Sequence, residues 1–155
     1  MVVSADTVAF LRSLTGFLAT RDVANRPTAC ECVVMDLDPE TGVGEVAAVA
    51  RFARQMTANL RDNGRLAVVV SRAWGDHRSV QIKGRCLGVS APVQVPERVR
   101  PAIEGLAVVL DSFKLPPRVA RDFRAGESEP FYVVRVQVED VFEQTPGPGA
   151  GRKLA

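Results

Sequence analysis

Residues 77–84, HRSVQIKG, hold the densest set of chemically able side chains in this chain of 155 residues. A basic pair, His77 and Arg78, opens the stretch, and a glycine closes it. Between them Val80 and Ile82 are apolar, while Ser79, Gln81 and Lys83 are polar. On a strand this alternation puts the hydroxyl, the amide and the ammonium on one face. Such a row can hydrogen-bond a ligand, or it can simply face water.

Other reactive types are sparser. Cys30 and Cys32 are two apart and share one side of a strand, with Glu31 on the other. A metal site would need further ligands, and neither Cys86 nor the single histidine, His77, is placed to supply them. Buried small apolar residues are the expected role of the two cysteines. His77 lacks an identifiable acid–base partner and reads as a turn residue. Trp74 is expected to pack, with stacking on a flat ligand as the alternative. There is no GxSxG, no phosphate-binding Gly-rich loop and no Ser/His/Asp spacing, so hydrolase readings find no support.

Composition narrows the class. Hydrophobic residues make up 46%, charged residues 25% and aromatic residues 6%, with a formal net charge of +2. These values suit one globular domain and argue against a nucleic-acid or membrane partner. No apolar run approaches the ~20 residues needed to span a bilayer. The first residues, MVVSADTVAF, lack the basic region of a signal peptide. Three cysteines without framework spacing fit a reducing cytoplasm.

The elements that must position these residues follow from periodicity. A short helix over Asp6–Leu14, capped by Ser4 or Asp6, precedes strands over Thr15–Arg21, Thr28–Leu37 and Val43–Ala50. DVANRP and DPETG supply the turns. Phe52, Met56 and Leu60 mark a helix over Arg51–Asp62, stopped by Asn63-Gly64. Strands follow over Leu66–Arg72 and His77–Val89, then a helix over Pro96–Leu115 showing Val99, Ile103, Leu106 and Leu110. Pro116-Pro117 breaks that helix, and Val119–Arg124 can add a turn or two. The last strand spans Phe131–Val141. Residues 1–144 read as one domain and 145–155 as a disordered Pro/Gly-rich tail. Six strands joined mostly by hairpins predict a mainly β fold, a six-stranded antiparallel barrel with helices packed outside.

The order GFLATRDVANRPTACECVVMDLDPETG, then TANLRDNGRLAVVVS, then HRSVQIKGRCLGV resembles the pyridoxamine 5′-phosphate oxidase-like family. The resemblance covers residues 8–90, and the closing FYVVRVQVEDVFE strand is similar to the end of that fold. It implies a homodimeric FMN-binding split β-barrel with the ligand site at the subunit interface, acting as an FMN-dependent oxidoreductase on a small molecule. It also implies phosphate contacts near Arg51, Arg54, Gln55 and Met56. Strand contacts to the flavin would come from Pro27–Glu31 and from Arg78, Ser79, Gln81 and Lys83, with Gln81 and Lys83 able to bond the ring or the phosphate. Arg51 and Arg54, three apart, can share a helix face as a phosphate clamp, helped by the helix N-terminus.

This chain departs from the family where many relatives carry Ser-Arg-Lys. Aligned on Asn59-Leu60, those positions are Arg54, Gln55 and Met56. A one-residue shift turns a helical side chain by about 100°. Relatives that use a deazaflavin or haem keep those cofactors open as alternatives. So does a non-catalytic split-barrel dimer binding a small ligand or a partner, its groove filled by Phe52, Met56 or Trp74. The basic residues that the oxidase itself uses for substrate near its C-terminus have no match in the tail.

Overall fold

The computed structural model describes residues 2–72, 74–94, 97–116, 118–119 and 129–155. Six strands close an antiparallel barrel: β1 (Thr15–Arg21), β2 (Pro27–Leu37), β3 (Val43–Val49), β4 (Arg65–Ser71), β5 (Ser79–Val89) and β6 (Phe131–Glu143). Around the barrel the order is β1-β2-β3-β6-β5-β4. Helices α1 (Ala5–Arg12), α2 (Arg54–Asn63) and α3 (Arg100–Ser112) accompany it. The expected barrel is therefore present, with each predicted strand in place to within two residues at either end.

Alternation explains the barrel wall. Leu18 on β1, Val68 and Val70 on β4, and Val80 and Ile82 on β5 point inward and are buried. They pack with Cys30, Cys32, Val34, Val46, Val136 and Val138 into one interior cluster. Both cysteines are thus core residues, and burial pushes the Cys30 thiol up to about 11 and Cys32 higher still. A second apolar cluster lies outside the barrel. There Val99 and Ala102, at the start of α3, cover Val33, Met35, Ala47 and Val49. The other half of α3 covers less, and Val108 and Phe113 stay exposed.

The chain between β3 and β4 departs from the predicted continuous helix. A 3-10 turn at Ala50–Phe52 precedes α2, and the φ of −93° at Ala53 separates them. The break rotates Phe52 out to solvent while Met56 and Leu60 stay in the interior cluster. Gly64 ends α2 in the left-handed region (φ 67°), and its N–H donates to the Leu60 carbonyl. Beneath the helix, buried Asn59 donates from Nδ2 to Thr20 Oγ1 at 3.0 Å and accepts from Gln55 Nε2 at 2.9 Å.

The tail also departs from expectation. Instead of trailing loose, Thr145–Ala155 turns back along β6. Leu154 N–H donates to the Val141 carbonyl, and Gly151 N–H to that of Glu143. Ala155 packs against the interior cluster. The turns expected over 119–124 fall largely outside the described residues.

Candidate functional site

Among the described residues, the outer face of β1, β4 and β5 is partly open: Phe17, Lys83 and Arg85 are exposed, and Val69 and Gln81 are half-buried. Register lines its residues into rows across the three strands. Ser71 lies opposite Ser79 on β5; Phe17, Val69 and Gln81 form the next row; Ala19, Ala67 and Lys83 the next. Arg65 then faces Arg85, with Arg21 two residues beyond Ala19 on β1. The face therefore grades from hydroxyls through an apolar and amide band to guanidiniums. Rows lie about 6.6–6.8 Å apart, two residues along a strand.

A groove of about 540 Å³ runs over the basic end of this face. Its floor includes Ala19, Ala67 and Gly84, and its rim Arg21, Lys83 and Asp140. The small floor has a structural cause at Gly84. A Cβ there would sit 2.2 Å from the Gln137 carbonyl oxygen, so the strand crossing admits only glycine. The register shift at this point pairs Lys83 with Asp140 but Gly84 with Val138. Glu139 is the extra residue of a bulge, and both carboxylates border the groove.

The sequence-predicted residues fall into separate regions. Gln81 and Lys83 lie on the open face. Gln81 Oε1 accepts at 3.5 Å from Gln144, and its Nε2 has no partner among the described residues. The Lys83 ammonium lies 4.7 Å from the centre of the Phe142 ring and forms no ion pair among the described residues. Ser79 is buried, its Oγ 2.6 Å from that of Ser71 and its N–H bonded to Thr145 Oγ1. Arg78 turns toward α1, where it meets Asp6 at 2.7 Å and stacks 4.5 Å over Phe10. Of the β2 contacts, Pro27 and Ala29 are exposed and Cys30 points into the barrel.

Arg51, Arg54 and Gln55 do not line the groove that Lys83 borders; they follow β3, and α2 packs against β1, β2 and β4. Arg51 reaches Glu129 at 3.5 Å and covers the Phe52 ring at 4.7 Å. Arg54 is exposed in the first turn of α2. Gln55 borders a second groove of about 510 Å³, with Arg26, Asn59 and Arg61. Met56 is fully buried, so a lysine there would place its charge in the barrel core. Of the side chains proposed to fill a groove, Met56 fills the core, while Phe52 and Trp74 are exposed.

Arg21, Arg65, Arg85 and Glu139 escaped sequence reasoning. Alternation on each strand shows them facing out, but only the cross-strand register shows that they share a row. Among the described residues, no group of three or more His, Cys, Asp and Glu could hold a metal ion. Nor is any described helix long and apolar enough to cross a membrane.

No protein-family model matches the chain, and no curated protein matches it. Solved structures do. HupZ of Group A Streptococcus matches with a TM-score of 0.56 at 14% identity, over 97% of this chain and 100% of that one. A Clostridium acetobutylicum protein related to general stress protein 26 of B. subtilis, of the pyridoxinephosphate oxidase family, matches at 0.53 and 10% identity. That alignment covers 92% and 87% of the two chains. Rv2991 of Mycobacterium tuberculosis matches at 0.51 and 19% identity, covering 92% and 84%. At these identities the likeness is one of fold, and the fold is the split barrel of pyridoxamine 5′-phosphate oxidase-like proteins.

Proposed function

We propose that this chain is an FMN-binding split-barrel protein, an oxidoreductase that works as a homodimer with the flavin at the subunit interface. The observation that carries the reading is the open β1–β4–β5 face. An apolar band of Phe17 and Val69 there adjoins a half-free amide at Gln81 and an ammonium at Lys83. Phe17 is 49% exposed, a large apolar side chain left half in solvent on a strand.

The residues present suit a flavin. A planar ring system needs a flat apolar bed and donors and acceptors at its edge, and this face offers both. Gln81 can donate and accept, and Lys83 adds a positive charge. The phosphate would fall to Arg54, with Arg51 and the N-terminus of α2 beside it. Within one protomer Arg51 and Arg54 do not line the groove that Lys83 borders. A second copy laid against the open face would cover Phe17. The bound flavin would supply the redox chemistry, and the protein would orient it and exclude water.

Binding of FMN, followed by quenching of its fluorescence, tests this reading. Wild-type protein should bind, and Gln81→Leu and Arg54→Ala should each weaken binding about tenfold, the size of one charge-assisted contact. Unchanged affinity in both variants would place the flavin elsewhere.

A further inference from the structure

The arginine row at the end of the open face is not used by that reading. Arg21, Arg65 and Arg85 project from three neighbouring strands, and Lys83 stands one row away. Neighbouring strands are about 4.8 Å apart, so the row spans about 10 Å. All four cations are exposed, and they face two carboxylates, Glu139 and Asp140. Lys153 already holds Asp140 at 2.6 Å. Glu139 is shared, one oxygen 2.6 Å from Arg65 and the other 2.8 Å from Arg85. Arg21 and Lys83 make no ion pair among the described residues. The Arg21 side chain donates to the Asp22 carbonyl at 3.2 Å.

We propose that this row is a binding subsite for the phosphate or carboxylate group of a small organic anion. Resting on the flavin reading, it assigns that anion as the substrate, held at the basic end of the face beside the ring. Three features support it. The positive charge exceeds what the local carboxylates neutralise. The groove floor of Ala19, Ala67 and Gly84 leaves space for a ligand body. Glu139 shows the grip in miniature: two guanidiniums already converge on one carboxylate, a geometry suited to an oxyanion. A ligand anion would take Arg21 and Lys83 first and compete with Glu139 for the other two.

The test is calorimetric titration with inorganic phosphate at constant ionic strength set by chloride, on the protein with and without FMN. Saturable binding is expected. Arg21→Gln should weaken it about tenfold, and Glu139→Gln, which frees two guanidiniums, should strengthen it several-fold. FMN retention of Arg21→Gln is the second readout and should match wild type. If that variant loses FMN, the row holds the flavin's own phosphate, and the substrate assignment is overturned. If wild type retains FMN but phosphate does not bind, or if Glu139→Gln leaves phosphate affinity unchanged, the subsite is overturned while the flavin reading stands. If phosphate binds in this Arg21-dependent way but FMN does not, the subsite stands and the flavin reading fails.

Discussion

Arg65 and Arg85 stand opposite each other on β4 and β5, and the Glu139 carboxylate bridges them at 2.6 and 2.8 Å. Two guanidiniums directly opposite repel, and the shared carboxylate relieves that repulsion. All three side chains are a third or more exposed, so solvent weakens the effect. Glu139→Gln should therefore cost at most ~1 kcal/mol. The loss should shrink with added salt, which screens the bare arginine pair. Thermal unfolding at low and high sodium chloride checks this, and a loss independent of salt would rule out repulsion as its cause.

The glycine at the bulge beside this pair should be intolerant. Gly84→Ala would force a Cβ to within 2.2 Å of a backbone oxygen. Overpacking against backbone is expected to cost ~1–3 kcal/mol or more. Gly88, on the same strand, has nothing within 4 Å, and Gly88→Ala should stay within about 0.5 kcal/mol of wild type. Urea unfolding of the two variants side by side measures the contrast.

Beneath α2, Thr20 and Asn59 form a buried polar pair inside an otherwise apolar barrel end. Thr20→Val keeps the shape and removes the acceptor, stranding one Asn59 donor. An unsatisfied buried donor costs ~1–3 kcal/mol. The midpoint of chemical unfolding should fall accordingly, and an unchanged midpoint would mean that water replaces the hydroxyl.

The cysteines set a pH limit. Cys30 is pushed from its ordinary 9.0 up to about 11 by burial, and Cys32 further in the same direction. The folded state thus holds these thiols protonated where the unfolded chain would ionise them. Their contribution is complete below about pH 9 and is lost as pH rises from there through the folded values. Stability measured from pH 8 to 11 should decline, and Cys30→Ala should flatten part of the decline relative to its own value at pH 8. In native protein near pH 8, Cys86, only partly buried, should be the first thiol to react with a disulfide reagent. Rapid labelling of all three would contradict the burial.

Most strands were legible because their alternation is strong: Val134, Val136 and Val138 face in, and Arg135 and Glu139 face out. The bulge at Glu139 was not legible, because it depends on how β6 meets β5 and not on either strand alone. The break at Ala53 escaped for a similar reason. Phe52, Met56 and Leu60 are spaced as one helical stripe, and no proline or glycine marks the break that sends Phe52 outward. The tail was misread from its Pro/Gly content, which disfavours regular structure but does not prevent pairing to an open strand edge. For the site, strand periodicity placed Gln81 and Lys83 on one face, but the arginine row needs the register of three strands. Sequence proximity also grouped Arg78 with Gln81, whereas the chain turns Arg78 to Asp6.

The most direct measurement is the visible absorbance spectrum of the purified protein, taken before and after incubation with excess FMN and desalting. The flavin reading predicts a retained two-banded yellow spectrum, near one FMN per chain, that Gln81→Leu and Arg54→Ala diminish. A colourless protein that retains no FMN would contradict it.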